Sequence, residues 1–462
     1  MRAPALIAAL AIACLPLAAQ AAQKQPGVPP AAEQARDALI RAAPAQGPGA
    51  VVLMTRGDAV IYRGAVGQAD LELGVPLAPD QVFRIASVTK MFTAATVLKL
   101  AEQGKLSLDD KLSAYVLDIA NGDQITIRQL LNHTAGVSDI VNTITPGFSR
   151  RDVDTATLLE DVKSRPPAFA PGTRWAYSNA GFILLGAVIE KVTGQRWYEA
   201  VRDQVIAPAG LNRTAYGESA PLVPGRVSGY TTDGQTHAVL NANRISSSIP
   251  AAAGGLISTA EDLNAWMRAL VGGRVLTPAS LAAMRTPAPD LPGAAPGARY
   301  GLGLYQWTVR GAPMIGHTGQ IDGFASMLAY LPDQDVTIVV LANDDDFDAQ
   351  TLGRRLAAIA VGRPYAVVDP VAPSAETQAA LAGTYRFPDG VIETLSVKDG
   401  HLYAQRGSRH VIPLQMTADG RLYFKPDELT YLVPVRDAAG KVVRLDYFPR
   451  GDGPPQALLR TP

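Results

Sequence analysis

Ser87 and Lys90 stand three residues apart, a spacing that lets a hydroxyl and an amine act together. A serine hydroxyl is a poor nucleophile at neutral pH, so it needs a nearby base and donors that await the oxyanion. Ser87 follows a predicted strand, QVFRIA, and opens a predicted helix, where its own backbone N–H is left unpaired. Lys90 lies on the same face one turn along, where partial burial would lower its pKa and let it take the hydroxyl proton.

Two further motifs distinguish this interpretation from a plainer one, in which Ser87 only caps a helix and Lys90 is solvated. The chain contains one Ser-x-x-Lys, one Tyr-x-Asn at Tyr177-Ser178-Asn179 and one His-Thr-Gly at His317-Thr318-Gly319. Each has its own plain alternative, since a loop tyrosine commonly packs on the surface and an asparagine commonly caps a helix. The occurrence of all three in this order favours a catalytic constellation.

The segments around these motifs predict a domain of mixed helices and strands over residues 31–362. Apolar residues recur at helical spacing between Ser87 and Glu102, and the predicted face consists of Val88, Met91, Phe92, Ala95 and Leu98. Other helices are predicted at 31–43, Phe182–Val192, Thr259–Leu270 (with Ser258 and Glu261 as a capping box) and Leu352–Val361. Strands are predicted on both sides of Arg56-Gly57-Asp58 and in YGLGLYQW, PMIGHTG, FASMLAYLP and VTIVVLAN, the last two joined at Asp333-Gln334-Asp335.

The C-terminal part of the chain has a different pattern. A proline-rich linker is predicted at residues 363–374, followed by an antiparallel β domain at 375–462. Its alternating segments turn at Asp399-Gly400, Asp419-Gly420 and Ala439-Gly440, as in a small barrel or sandwich.

Composition limits the partners and the compartment. Among 462 residues, 42 basic side chains balance 42 acidic ones, which argues against nucleic acid or an anionic membrane as the main partner. Residues 1–21 have the charge, apolar run and Ala19-Gln20-Ala21 site of a Sec-type signal peptide, so a periplasmic or secreted protein is expected. The single cysteine, Cys14, lies within it, and a lipoprotein anchor there is the less favoured alternative. After signal cleavage we expect no transmembrane segment.

With these motifs in place, the chain resembles the serine hydrolases of the penicillin-binding-protein and class C β-lactamase type, which include D,D-peptidases, D-aminopeptidases and β-lactamase-like esterases. The resemblance covers most of residues 50–345 and includes LLNHTAGVSD, PGTRWAYSNAGFILLGAVIEKVTG, AAAGGLISTAEDL and GHTGQIDGFAS. It implies the β-lactamase/transpeptidase-like α/β (α+β) fold, an antiparallel sheet flanked by helices with an all-helical subdomain. Some peptidase relatives also carry barrel domains after the catalytic one.

The resemblance also implies a role for each motif residue. Ser87 would be acylated, and Lys90 would share hydrogen bonds with the oxygens of Ser87 and Tyr177. Either Lys90 or Tyr177 would take the first proton, and Tyr177 would return it to the leaving group. Asn179 would hold the lysine and the substrate amide, and the backbone N–H groups of Ser87 and Gln320 would form the oxyanion hole. The triplet His317, Thr318 and Gly319 would bind substrate.

The triplet departs from class C β-lactamases, where lysine takes the place of His317. A histidine that is neutral near pH 7 would be a weaker, switchable anchor for a substrate carboxylate, which disfavours efficient β-lactamase activity. The preferred hypothesis is a hydrolase of D-amino-acid peptides or amides. The alternatives are a carboxylesterase and a non-catalytic sensor or binding protein on the same fold.

The remaining expectations concern ligands and partners. His133 is expected to have a structural hydrogen-bonding role, and His237, His401 and His410 show no metal-ligand spacing, so neither a metal nor a cofactor is predicted. The expected partner is a small peptide, amide or ester, and the β domain is a candidate surface for forming a homo-oligomer.

Overall fold

The computed structural model describes residues 30–139, 146–218, 220–233, 236–293, 298–425 and 427–461. The predicted signal peptide and Cys14 lie outside these residues. No helix within the described ranges is long and apolar enough to cross a bilayer.

A seven-stranded antiparallel sheet forms the centre of the N-terminal domain. The strands up to residue 342 are β1 (Ala50–Arg56), β2 (Ala59–Val66), β3 (Gln68–Asp70), β4 (Val75–Pro76), β5 (Phe83–Arg84), β6 (Ala215–Tyr216), β7 (Tyr230–Thr232), β8 (Val239–Asn241), β9 (Leu256–Ser258), β10 (Ala298–Tyr300), β11 (Tyr305–Val309), β12 (Ala312–Ile321), β13 (Phe324–Leu331) and β14 (Val336–Ala342). Their order in the main sheet is β10-β11-β12-β13-β14-β1-β2. All seven residues of β14 are buried, because helices cover both faces of the sheet.

Thirteen α-helices are described. They are α1 (Ala31–Ala42), α2 (Thr89–Glu102), α3 (Ile127–Leu131), α4 (Pro146–Ser149), α5 (Thr155–Lys163), α6 (Asn179–Thr193), α7 (Trp197–Val201), α8 (Ala207–Ala209), α9 (Ala251–Gly254), α10 (Ala260–Val271), α11 (Pro278–Arg285), α12 (Ala349–Ala360) and α13 (Ala375–Leu381). Helices α1 and α12 cover one face of the sheet and share a core with it. Helices α2 and α10 contribute to the core on the other face, together with the helical layer built around α6.

Helix α2 differs from its prediction in one respect. The predicted apolar face is buried, but so is the rest of the helix up to Leu98, including Lys90. Its threonines tolerate this burial because their hydroxyls are satisfied locally: Thr96 Oγ1 donates to Phe92 O at 2.9 Å, and Thr93 Oγ1 donates to Ala252 O at 2.7 Å. The pattern of apolar residues alone does not reveal these internal acceptors.

The cap of α10 also differs from the prediction. Thr259, not Ser258, is the N-cap, and its side chain accepts from the backbone N–H of Asp262. Ser258 is instead the last residue of β9, and its hydroxyl contacts Thr214 Oγ1 at 2.8 Å. Ser258 and Thr259 both carry a hydroxyl, so the sequence allows either residue to be the N-cap. Because Ser258 still belongs to β9, Thr259 is the one that caps the helix.

The C-terminal domain is a closed eight-stranded barrel, which agrees with the predicted all-β domain. Its strands, with the short β15 that precedes them, are β15 (Pro370–Val371), β16 (Gly383–Arg386), β17 (Ile392–Lys398), β18 (His401–Arg406), β19 (Ile412–Thr417), β20 (Leu422–Phe424), β21 (Asp427–Arg436), β22 (Val442–Phe448) and β23 (Gln456–Arg460). Pairing of β19 with β20 closes the ring, and β15, within the proline-rich segment, pairs with Met416 and Thr417 at the end of β19. The three predicted Gly turns connect successive strands as expected.

A buried polar cluster, here called the domain junction, ties the barrel to the sheet. Asp452 Oδ2 accepts from Arg354 Nη2 of α12 at 2.5 Å and from the Tyr365 hydroxyl at 2.6 Å, and its Oδ1 accepts from the backbone N–H of Arg310 at 3.0 Å. Arg354 also donates to the carbonyl of Thr308 in β11. The Arg354 side chain is 4% exposed and Asp452 12%, so this ion pair is largely dry.

We predict that Asp452→Asn destabilises the protein by about 3 kcal/mol, since it leaves the buried guanidinium of Arg354 without its counter-charge. Calorimetric unfolding should show the loss, and proteinase K, which does not require a basic residue, should cut more rapidly between residues 363 and 374. Asp290→Asn is the control because it breaks an exposed pair with Arg299, which is worth at most about 1 kcal/mol. Equal effects of the two variants would contradict a stabilising role for the junction.

Candidate active site

Ser87 lies where a strand gives way to a helix. It occupies the middle of the 3-10 turn Ala86–Val88, directly before α2, and its side chain is partly exposed in a cleft of 560 Å³. The preceding residue, Ala86, has φ of 46°, an unfavourable angle for a residue with a side chain. Strained backbone of this kind is frequent at functional sites, where the surrounding packing holds it.

Lys90 is fully buried beside the Ser87 hydroxyl. Its Nζ donates to Ser87 Oγ at 3.1 Å, to Asn179 Oδ1 at 2.7 Å and to the carbonyl of Ala253 at 2.8 Å. All three acceptors are uncharged, so burial dominates and lowers the pKa of Lys90 to about 7, against a smaller upward effect of Asp139. A buried amine of this pKa exists partly as a free base near neutral pH.

Tyr177 completes the contact. Its hydroxyl is hydrogen-bonded to Ser87, and its ring centre lies 4.8 Å from Lys90 Nζ. Burial raises the pKa of Tyr177 well above 10, and the bond to Ser87 only partly offsets this. The phenol is therefore neutral at pH 7, which makes Lys90 the better acceptor for the first proton and Tyr177 a relay to the leaving group.

Asn179 is held by an aspartate that our sequence analysis did not single out. Asp139 accepts from the backbone N–H groups of Asn179 and Ala180 and from Asn179 Nδ2, all at 3.0–3.1 Å. The carboxylate thus covers the start of α6 and fixes the amide so that its oxygen faces Lys90. Asp139 is the last residue of the LLNHTAGVSD stretch, but nothing in the sequence indicates which helix it reaches.

Strand β12 brings His317, Thr318, Gly319 and Gln320 to the same cleft. Strand β11 pairs with β12 only as far as Gly316, whereas β13 pairs with it to Ile321, so in the described structure one side of residues 317–321 is open. A substrate backbone can add to such an edge. A Cβ on Gly319 would lie 2.4 Å from the carbonyl oxygen of Ile85 and 3.0 Å from the backbone N of Ser87, so this approach requires glycine.

His317 is a neutral, buried side chain. Its Nδ1 bonds to the carbonyl of Thr318 and its Nε2 to the Tyr300 hydroxyl at 3.0 Å, which assigns the proton to Nδ1. Burial, followed by the charge of Lys90, lowers the pKa of His317 to about 3. The expectation that His317 switches charge near neutral pH is therefore wrong, and the reason is the aromatic enclosure by Tyr300, Tyr305 and Tyr177.

His133 has the structural role expected of it. Its Nδ1 accepts from the backbone N–H of Ser178 at 3.2 Å, and its ring packs 4.4 Å from that of Tyr177. It holds the loop that presents the tyrosine. Burial lowers the pKa of His133 well below 6.5, so this ring is neutral too.

The lining of the cleft has a distinct charge pattern. Among the described residues that line it there is no lysine or arginine, while Asp345, Asp346 and Asp348 lie along one side. Carboxylate oxygens of Asp344, Asp345 and Asp346 come within 4.8 Å of one another, but Asp345 already accepts from the backbone N–H of Gly323 and Asp344 from that of Asp346. The predicted substrate carboxylate therefore has no cationic side chain in the described lining, and a substrate amine has three acidic neighbours.

A buried lysine and a phenol beside one serine, on this sheet-and-helix fold, are the arrangement of an active-site serine hydrolase. The family described as Beta-lactamase matches residues 36–361, and the chain belongs to that family. It is therefore a serine hydrolase, and the hypothesis of a non-catalytic sensor is not retained.

Three relatives illustrate the similarity. Esterase EstB of Burkholderia gladioli is 37% identical over 190 residues, which cover 37% of this chain and 48% of that protein. A D-stereospecific amidohydrolase structure from Streptomyces sp. has a TM-score of 0.62 at 30% identity and covers 70% of this chain and 97% of that one. The octameric penicillin-binding protein homologue from Pyrococcus abyssi has a TM-score of 0.65 at 21% identity, covers 92% of this chain and 97% of that one, and shares the fold.

We predict that kcat/KM falls as pH decreases through about 7, because Lys90 accepts a proton only when it is uncharged. Asp139 raises the pKa of Lys90, so Asp139→Asn should move the midpoint of this acid limb to lower pH. A pH–rate profile from pH 5 to 9 measures both effects.

The control for this profile is Lys90→Arg, which stays charged throughout the range and should leave only residual activity with no midpoint near 7. Unfolding midpoints would confirm that each variant is folded. An acid limb at the same pH in wild type and in folded Asp139→Asn would exclude Lys90 as the titrating base.

Proposed function

We propose that the protein hydrolyses D-amino-acid amides or peptides through an acyl-enzyme on Ser87. The observation that carries this proposal is the set of contacts of Lys90 and Tyr177 with the Ser87 hydroxyl, at an open strand edge. Ser87 Oγ attacks the substrate carbonyl and its proton passes to Lys90, while the N–H groups of Ser87 and Gln320 stabilise the oxyanion. Tyr177 then protonates the departing amine and takes the proton held by Lys90 in its place.

The second half of the reaction releases the acid. Water attacks the ester carbonyl of the acyl-enzyme, gives up a proton to the same lysine and tyrosine pair, and Ser87 leaves with that proton. The net change is one amide bond and one water converted to an acid and an amine. The D-stereochemistry in this proposal is supported by the similarity to the D-stereospecific amidohydrolase from Streptomyces sp..

Charge in the cleft supports a substrate with a free amino group. Neutral His317 cannot pair with a carboxylate next to the scissile bond, whereas Asp345 and Asp346 favour a cationic amine. This supports an aminopeptidase or amidase over a D,D-carboxypeptidase and over an efficient β-lactamase.

A carboxylesterase is the second candidate. The described lining has no cationic side chain that would require a substrate carboxylate, and the 37% identity to esterase EstB favours this activity. Turnover of D-alanine amide compared with short p-nitrophenyl esters separates the two candidates.

Two further parts of the proposal concern the whole protein. We infer export to the periplasm or medium with cleavage after Ala21, which the N-terminal sequence of the mature protein would test. Self-association through the barrel is tested by sedimentation of the full chain and of surface variants of the barrel.

The central experiment is covalent labelling. A fluorophosphonate or a β-lactam probe should add its mass to the peptide that contains Ser87, and Ser87→Ala should remain unlabelled. Ser178→Ala is not a suitable control because Ser178 caps α6; Ser113→Ala, remote from the described cleft lining, is matched for the change in chemistry. Labelling of Ser87→Ala at the wild-type level would refute the acyl-enzyme.

We predict that Asp346→Asn reduces the preference for D-alanine amide over its N-acetyl derivative by about fivefold, because it removes one negative charge beside the amine. Asp346 is exposed and its carboxylate has no hydrogen bond within the described chain, so the fold should be unaffected. Ratios of kcat/KM for the two substrates give the result. Asp333→Asn, in the β13–β14 turn, should leave the ratio unchanged. A similar drop in this control variant would show that the effect comes from the net charge of the protein alone.

A further inference from the structure

A second cavity of 870 Å³, here called the basic cavity, lies beside the catalytic cleft. The turn between β12 and β13 separates the two, since Ile321 and Ala325 line the cleft whereas Asp322 and Phe324 line the basic cavity. The charged side chains in its lining are four arginines and two aspartates: Arg84, Arg150, Arg226, Arg244, Asp152 and Asp322. The proposed reaction uses none of them.

Arg84 is the buried member of this group, with 7% of its surface exposed. It donates from Nη1 to the carbonyl of Ile245 at 2.7 Å and from Nη2 to Ser247 Oγ at 3.3 Å. Both acceptors are neutral, and no carboxylate of the described chain forms an ion pair with this guanidinium. Two bonds use two of its five N–H groups, which leaves donors for a ligand in the cavity.

The neighbouring arginines add further positive charge to the basic cavity. Arg226 is half-buried and donates to the carbonyl of Glu218 at 3.1 Å, and exposed Arg244 makes no side-chain hydrogen bond within the described ranges. Burial, followed by the charge of Arg226, lowers the pKa of Arg84 to about 10. Like charges held together at a partly dry surface are unfavourable, and a bound anion would relieve their repulsion.

The wall of the basic cavity also includes Ser246, Ser247 and Asp152. The Ser246 hydroxyl donates to Asp152 Oδ1 at 2.5 Å, so this carboxylate is already engaged at the edge of the cavity. Asp322 attracts Arg84 only at longer range. With four arginines and two aspartates, the lining carries an excess of positive charge.

We propose that the basic cavity is a binding site for an oxyanionic group, a carboxylate or a phosphate, held by Arg84, Arg226 and Arg244. Guanidinium groups present pairs of N–H donors that match the paired oxygens of both groups, and the volume is typical of small-molecule sites. The group belongs either to the distal part of a substrate in the cleft or to a separate small anion. The first source rests on the proposed function, whereas the second does not.

The basic cavity is also close to Ser87 along the chain. Arg84 is the last residue of β5, three positions before Ser87, and its guanidinium holds residues 245–247, which lead into Pro250 in the cleft lining. An anion that engages Arg84 therefore binds to the end of the strand that leads into the turn carrying Ser87.

The first experiment measures binding of inorganic phosphate and of succinate to the full chain by calorimetry, with the thermal midpoint as a second readout. Wild type should bind one of them saturably, with affinity that falls as salt rises. Arg244→Gln and Arg226→Gln should each weaken binding about tenfold, because each removes a charged donor. Arg274→Gln, an exposed arginine outside the cavity lining, should bind as wild type does.

The second experiment identifies the source of the anion. D-alanyl-4-aminobenzoate and D-alanyl anilide differ by one distal carboxylate, and their kcat/KM values are compared in wild type and in Arg244→Gln. A preference for the carboxylate that disappears in Arg244→Gln assigns the site to substrate. Equal turnover, together with phosphate or succinate binding that Arg244→Gln weakens, assigns it to a separate anion.

Two results would overturn the proposal: no saturable binding of phosphate or succinate together with no carboxylate preference, or equal losses in Arg274→Gln and Arg244→Gln. Labelling of Ser87 is measured in the same preparations. Because that label does not depend on the basic cavity, failure of this inference remains distinguishable from failure of the proposed function.

Discussion

The active site depends on one constraint: the amine of Lys90 is buried without a carboxylate in direct contact. An ammonium taken out of water is costly unless its N–H groups are all satisfied, and Lys90 meets three acceptors at 2.7–3.1 Å. None of the three is charged, so the amine stays close to deprotonation. The nearest negative charge, Asp139, acts through the amide of Asn179 rather than on the lysine itself. A carboxylate in the place of Asn179 would stabilise the cation and remove the base.

Much of the helical layer serves to keep that amine dry and correctly paired. Helix α9 consists of the small residues Ala251–Gly254, which allow its backbone to approach closely; a Cβ on Gly186 of α6 would lie 2.9 Å from that of Ala252. This approach delivers the Ala253 carbonyl to Lys90 and the Ala252 carbonyl to Thr93. A larger side chain in α9 would move an acceptor away from a buried donor, so packing and catalysis depend on the same few atoms.

The sequence was most informative where chemistry requires a particular side chain at a particular spacing. Ser87, Tyr177, Asn179 and the His317 triplet line one cleft, and Lys90 is buried against Ser87. The helices and barrel hairpins follow their periodic patterns. It was uninformative where a backbone group does the work. The Ala253 carbonyl leaves no signature in AAAG, and Asp139 reaches α6 only through a loop path that no local pattern encodes. The sequence indicated a neutral His317 but not that it fails to switch charge near neutral pH, because three tyrosines from different segments enclose it.

The hairpin formed by β11 and β12 has a different role at each of its two ends. At its outer end, Thr308 and Arg310 are fixed to the barrel by Arg354 and Asp452. At the inner end, the pairing of β11 with β12 ends at Tyr305. The edge of β12 that faces away from β13 is therefore unpaired beside Ser87. An unpaired edge exposes backbone groups and tends to fray or to recruit other strands. Fixing the outer end limits that freedom, so the barrel contributes to the site by holding the edge that a substrate must join, without supplying any residue to the described cleft lining.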